Sequence, residues 1–172
     1  MSIAAILGEL EVENATTRRV LERVPNDKLS WRPHPKSMSL GELALHVAMS
    51  PGYIAENWAC KDCVDFGAGG GKTPEPASTQ EILAAHDEGV NKAKSALAQI
   101  GDQGMQGMWT GKAGAQTLMT MPKAALARAI VMNHTYHHRG QLSVYLRLLD
   151  VPVPSIYGPS ADESPFRAAA SV

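Results

Sequence analysis

The chain has 172 residues, of which 44% are hydrophobic and 19% charged, with a formal net charge of −1 at pH 7. That is long enough for one domain with a real core and too short to expect two, and the near-neutral balance offers no basic footprint for nucleic acid and no polybasic patch for a membrane surface. No apolar run approaches the length of a membrane span, and the stretch Met1 to Glu11 lacks a positive region and soon acquires acids, unlike a signal peptide, so a soluble cytoplasmic protein is expected.

A first helix is predicted over 3–24, where Ile3, Leu7, Leu10, Asn14, Thr17, Leu21 and Val24 follow the alternating four-and-three spacing of a bundle seam. Asn14 and Thr17 interrupt that seam, which leaves two readings open: a tolerated polar spot, or a level of the bundle that faces a polar cavity. Pro25 ends the helix. The connector that follows, with Pro33 and Pro35, carries Trp31 as a plug for the end of the core and His34 as an exposed residue.

Ser39-Leu-Gly-Glu42 is a capping box and opens a second helix. Leu40, Leu43, Val47, Ile54 and Trp58 make its apolar face, while His46, Ser50, Tyr53 and Asn57 form a polar stripe along one edge, the kind of stripe that lines a pocket between helices. Pro51 is expected to kink this helix at Ser50 or to divide it. Cys60 and Cys63 form a single C-x-x-C without a second pair or a thioredoxin-like context, and read as incidental thiols near a helix end. The glycine-rich run before Lys72-Thr73 imitates a phosphate-binding loop, but Phe66 stands where its first glycine belongs and Pro74 follows where a helix should open. A flexible loop is the better reading.

Ser78 and Glu81 make a second capping box, opening a third helix to about Ile100. His86 shares a face with Ile82, Val90, Ala93 and Leu97, and competes as an inward ligand, ranked below His46 because less polar company attends it. Gly101 to Met121 is glycine-rich and polar, and either covers the mouth of a pocket or forms a short hairpin. Pro122 then suits the first position of a fourth helix reaching Asp150.

That last helix carries Asn133-His134-Thr135-Tyr136-His137-His138-Arg139-Gly140-Gln141, with three of the chain's six histidines. At about 100° per residue, His134 and His138 lie about 40° apart. Ala127, Ile130, Val131, Gln141, Leu142, Tyr145, Leu148 and Leu149 fall within roughly 80° of His134, which places the pair in the middle of the expected buried stripe. Arg128, Tyr136, Arg139, Ser143 and Arg147 fall opposite, on an expected solvated face, and His137 near the stripe's edge. Two imidazoles on one inward turn are either hydrogen-bonded core side chains or two ligands of one metal. A Leu/Ile/Val stripe does not supply the partners the first reading needs, which favours the metal and requires a third ligand. His46 is the natural one, although taken alone it reads as a boundary histidine bonded to a neighbour. The prolines after Asp150 exclude helix and imply a tail that folds back, with 166–172 frayed. The expected architecture is therefore all-α: a single domain over 1–165, an antiparallel four-helix bundle with long connecting loops and an irregular C-terminal tail.

Four segments taken together resemble the DinB-like (damage-inducible) four-helix bundle family: Trp31-Arg-Pro-His-Pro-Lys36, Ser39 through His46, Asn133-His134-x-x-x-His138-Arg-Gly-Gln141, and Pro154 through Glu163. The resemblance covers nearly the whole chain, and the His-x-x-x-His-Arg-Gly-Gln segment is its most specific part. It implies a metal site of His46, His134 and His138, a zinc, nickel or similar divalent ion, and a homodimer. It also implies kinship with transferases and isomerases that use bacillithiol or mycothiol, though many members have no assigned reaction.

The expected function is thus a metal-dependent enzyme of the thiol-dependent transferase or hydrolase type, acting on a small molecule with a low-molecular-weight thiol as co-substrate. Asn14, Tyr53, Asn57 and Gln141 are its substrate-pocket candidates. No strong general base is legible, since Glu42 sits near a capped helix end. The alternative is a non-catalytic metal- or ligand-binding stress-response protein with a structural, closed four-ligand site completed by His86, Asp162 or Glu163. A third reading has a polar core network without metal.

Overall fold

The computed structural model describes residues 2–67, 69 and 71–166. Helix α1 (Ile3–Leu21) begins where the Ser2 hydroxyl accepts a hydrogen bond from the Ala5 amide at 3.3 Å. Helix α2 (Leu40–Ile54) opens on the expected reciprocal cap, in which the Glu42 amide donates to the Ser39 hydroxyl at 3.1 Å and the Ser39 amide donates to the Glu42 carboxylate at 2.7 Å. Pro51 lies inside α2 and does not divide it; the helix runs on through a π-helical turn, Ala55–Ala59, contrary to a break at Ser50. The single amide that proline lacks is a local loss, and the surrounding buried residues hold the helix together.

A strand β1 (Cys63–Asp65) precedes α3 (Thr79–Met105), and α3 bends at Gly101, whose φ of 63° only glycine adopts freely. Strands β2 (Met108–Ala113) and β3 (Gln116–Pro122) form an antiparallel hairpin turning at Gly114, and β1 adds to β2 in parallel, giving the order β1-β2-β3. The purely all-α expectation is therefore corrected: the protein is mostly helical with four helices and a small three-stranded sheet. Of the two readings of Gly101 to Met121, the hairpin is the one found. One deeply buried side chain seats it: Trp109 is 1% exposed and lies beside Trp58 and Phe66, with ring centroids 6.4 and 6.2 Å away. Helix α4 starts as Lys123–Leu126, widens into a π-helical turn over Ala127–Met132, and continues as Asn133–Leu148.

Helix α2 packs along α3 and against α4, and α1 packs against α3 and α4. The apolar core divides into two main clusters. One gathers Leu21, Leu40, Leu43, Ile82, Leu142 and Leu146; the other gathers Ile6, Leu10, Ile54, Leu97, Met105 and Val131. Along every helix a polar stretch separates them: Asn14 and Thr17 on α1, Ser50 on α2, His86 on α3, Thr135 and Arg139 on α4.

The tail returns along α1 and α4. Asp162 pairs with Arg147 and accepts the Val153 amide at 2.8 Å, while Glu163 pairs with Arg19 and accepts the Ser155 amide at 3.1 Å. Phe166 is exposed, and the remainder of the segment expected to fray, 167–172, lies outside the described residues.

Two glycines set the α2–α3 separation. A Cβ on Gly52 would lie 2.5 Å from the Gly89 carbonyl oxygen, and one on Gly89 would lie 2.6 Å from the Ala48 carbonyl oxygen. Both obstacles are backbone, so the helices must part to admit a methyl group. Gly52→Ala and Gly89→Ala are each expected to destabilise by about 1–3 kcal/mol, a typical cost of overpacking. Chemical denaturation measures this; a change below ~0.5 kcal/mol at both positions would contradict the backbone contact, since that is the range of neutral surface substitutions.

Candidate metal centre

The polar level of the helices opens on one side, and there His46 from α2 meets His134 and His138 from α4. One ring nitrogen from each lies within 4.8 Å of the others. The ring centroids are 5.1 Å apart for His46 and His134, 4.6 Å for His46 and His138, and 4.4 Å for His134 and His138. The Nε2 atoms of His134 and His138 are 3.1 Å apart. Two nitrogens at about 2.05 Å from a shared ion would stand about 3.3 Å apart in tetrahedral and about 2.9 Å apart in octahedral coordination. The observed separation lies between these.

The rings are also oriented from outside. Gln141 Oε1 is 2.7 Å from His138 Nδ1, so the amide oxygen accepts that ring's N–H and leaves Nε2 bare as an acceptor or ligand. The Thr73 hydroxyl lies 3.3 Å from His46 Nδ1. The Nδ1 of His134 is buried with no partner among the described residues. Burial, and then the mutual repulsion of the cluster, pushes His46 and His134 down to about 4; His138 is lowered mainly by burial. Neutral imidazole is the form a metal needs. Three neutral nitrogen donors, with no carboxylate in the group among the described residues, and a fixed tautomer on His138 together suit a divalent first-row ion.

The depressed values make a prediction for the chelator-treated protein. Between pH 6.5 and about 4 the unfolded chain binds protons that the folded cluster refuses. Stability is therefore complete above the ordinary histidine value and is lost as pH falls through that window. Urea midpoints at pH 7 and pH 5 should differ more for the wild-type protein than for His134→Gln; equal differences would refute the assignment.

Comparisons with known proteins bear on the family and the fold. The DinB family model matches residues 1–167. The chain belongs to the DinB family. It is 27% identical over 161 residues to the "uncharacterized protein YrdA" of Bacillus subtilis (strain 168), covering 91% of this chain and 89% of that one. Among solved structures it resembles a DinB-like protein from Bacillus cereus ATCC 10987, with a TM-score of 0.69 at 22% identity over 91% of this chain and 98% of the other. The DinB-like protein YjoA from Bacillus subtilis superposes with a TM-score of 0.65 at 21% identity, covering 85% of this chain and 92% of that one.

Several expectations about this helix and its histidines need revision. His134 and His138 are half-buried at the edge of the packed face of α4, not in its middle. The buried residues of that helix, Thr135, Arg139, Leu142 and Leu146, centre roughly 110° from His134. Arg139, expected in solvent, is 1% exposed, and Leu148, expected inside, is 58% exposed. The reason lies on other elements. The Arg139 guanidinium donates to the Glu13 carboxylate at 2.7 Å, to the Glu13 carbonyl at 3.2 Å, to the Thr17 hydroxyl at 3.0 Å, and to the Tyr157 hydroxyl from the tail. Thr17 thus faces a polar level of the interior, filled by a guanidinium and not by a cavity. Periodicity scores arginine as polar and turns the helix the wrong way.

Of the pocket candidates, Gln141 joins the site through His138. Asn14 is buried on α1 with an unpartnered Nδ2, Tyr53 is 55% exposed two turns beyond His46, and Asn57 donates to the Tyr53 carbonyl at 3.1 Å. None of these three bonds to a histidine among the described residues. His86 is buried on α3, next to Asp87 and outside the three-histidine group, while Asp162 and Glu163 are committed to the tail. Sequence reasoning missed Thr73, which reaches His46 from a loop with no periodic pattern. His137 is exposed against the His138 ring, 4.9 Å between centroids, and Cys60 and Cys63 are exposed free thiols.

Proposed function

We propose that this protein is a divalent-metal-dependent enzyme of the thiol-dependent transferase or hydrolase type, built on a DinB-like four-helix bundle with His46, His134 and His138 as metal ligands. The carrying observation is the pair of Nε2 atoms 3.1 Å apart, with His46 as third donor and Gln141 fixing the ring of His138. A zinc, nickel or similar ion held there would supply a Lewis-acid position that acidifies bound water or stabilises a substrate thiol as thiolate. The protein's own share is orientation and exclusion. Gln141 holds the His138 tautomer, Thr73 supports His46, and the apolar clusters on either side keep the imidazoles neutral.

No side-chain base is required if the thiol is held ionised, and the nearby Glu42 is already engaged by the Ser39 amide and Arg32. A low-molecular-weight thiol is the proposed co-substrate, a small electrophile its acceptor, and the cytoplasm the proposed compartment. No helix among the described residues is long and apolar enough to cross a membrane. We also propose a homodimer, in which Met49 and Tyr53 of α2 and Val144 and Leu148 of α4, all exposed, meet a second copy.

The test is elemental analysis of protein purified without chelators, followed by a screen of small thiols with electrophilic acceptors on the metal-loaded form. Stoichiometric metal with thiol-dependent turnover is expected. Metal without any turnover would favour the structural, stress-response reading, and absence of metal would refute both.

A further inference from the structure

Beside the three histidines lies a concave pocket of about 430 Å³, with His46 and Thr73 among its lining residues. Its charged lining is lopsided: Arg32, Lys36 and Lys72 against the single carboxylate of Glu42. The chain as a whole carries a net charge of −1, so this is a local concentration and not a general basic surface. The carboxylate caps the helix by accepting the Ser39 amide at 2.7 Å and pairs with Arg32 at 3.5 Å, which leaves Lys36 and Lys72 as the uncompensated cations among the described residues.

The cations come from two separated segments that fold to the same place. Arg32 and Lys36 belong to the proline-rich connector before α2. Arg32 donates to the Ser37 carbonyl at 3.1 Å and lies 3.5 Å from Glu42, while the Lys36 amide donates to His34 Nδ1 at 3.1 Å, which tightens the turn. Lys72 comes from the loop before α3, adjacent to the residue that touches His46. Among the described residues neither Lys36 nor Lys72 forms an ion pair, whereas Arg18, Arg19, Arg128, Arg139 and Arg147 all do.

The pocket is within the size range of small-ligand sites, and far too confined for a nucleic-acid backbone, which needs an extended track of cations. A guanidinium held by the Ser37 carbonyl, with two exposed ammonium groups that form no ion pair among the described residues, is the chemistry of carboxylate or phosphate capture. We propose that this pocket binds the anionic group of the substrate, a carboxylate or a phosphate, and so directs the rest of that molecule toward His46. The inference rests on the reading of the three histidines as the reaction centre. It narrows the substrate class to small anions and gives the Trp31 to Lys36 connector a binding role.

The experiment uses the full-length protein in its metal-free form, so that an anion cannot bind through an ion, with inorganic phosphate and succinate as probes and glycerol as a neutral control. Calorimetric titration is expected to show binding of one or both anions that weakens with added salt, and no binding of glycerol. Binding confined to phosphate or to succinate assigns the group; binding of both supports the shared chemistry. Lys36→Gln and Lys72→Gln should each weaken binding about tenfold, which is about 1.4 kcal/mol. Both lysines are exposed, so these variants should melt with the parent. Separately titrated zinc or nickel should bind them within a few-fold of the wild type. If neither anion binds at tens of millimolar, or if binding survives both substitutions unchanged, the proposal is wrong, whatever the metal titration shows. Failure of the wild-type protein to bind zinc or nickel, with anion binding intact, would instead count against the three-histidine centre alone.

Discussion

Arg139→Ala is expected to cost about 3–5 kcal/mol of folding stability, equivalent to a fall in melting temperature of roughly 6–20 °C for a chain of this size. Arg139 is 1% exposed and its ion-pair partner Glu13 is largely covered, the Glu13 side chain being 14% exposed. Removing the guanidinium takes the cation from the Glu13 carboxylate, which keeps the Tyr157 hydroxyl as a donor at 2.9 Å, and takes one donor from the Thr17 hydroxyl, which still donates to the Glu13 carbonyl at 2.8 Å. The loss comes mainly from the carboxylate left without its cation, because an intact buried pair returns little beyond its own desolvation. Two companion variants separate the causes. Arg139→Lys should recover less than half of the loss, since one ammonium cannot reproduce the guanidinium fork. Combining Arg139→Met with Glu13→Gln should be milder than Arg139→Ala, because no uncompensated charge remains. A shift of less than about 2 °C for Arg139→Ala, the effect of a surface substitution, would show that the pair is not buried in solution.

The second large effect concerns metal affinity. His46→Ala, His134→Ala and His138→Ala should each weaken binding by more than the ~10–100-fold that loss of an outer partner costs, whereas Gln141→Ala should fall within that range. The grading follows from the contacts: each histidine offers a nitrogen to the common centre, and Gln141 acts only through His138 Nδ1. His86→Ala serves as control, since His86 lies outside the cluster and should leave affinity unchanged. Titration with a competing chelator reads all five variants. If Gln141→Ala equals His138→Ala, the amide is a ligand and not a support; if one histidine variant binds like the wild type, that residue is not a ligand.

What was legible in the sequence was what depends on near neighbours. The capping signals Ser39 with Glu42 and Ser78 with Glu81 place the starts of α2 and α3 within a residue or so, since the interactions span three positions. The four-residue interval between His134 and His138 brings their rings together on any helix. Their partnership with His46 was reachable because facing helices bring such residues to one level, and the resemblance of motifs pointed to the same three. Illegible were the features decided between distant segments. Arg139 is interior because Glu13 and Tyr157 arrive from α1 and the tail, and no pattern on α4 encodes their arrival. The hairpin over Met108 to Pro122 hangs on one tryptophan finding Trp58, and Thr73 reaches His46 from an aperiodic loop.

The π-helical turn over Ala127–Met132 stands immediately before the segment that carries His134. Such a turn is equivalent to one extra residue in an α-helix. Deleting a single residue there would let the helix wind regularly and leave the downstream part close to its present orientation against Lys123–Leu126, because the wide turn already absorbs the extra residue. The regular segment after it has no such slack: one residue more or fewer between His134 and His138 would turn one ring by about 100° away from the other. The turn is therefore the place on this helix where one codon could be lost with His134, His138 and Arg139 still facing their partners.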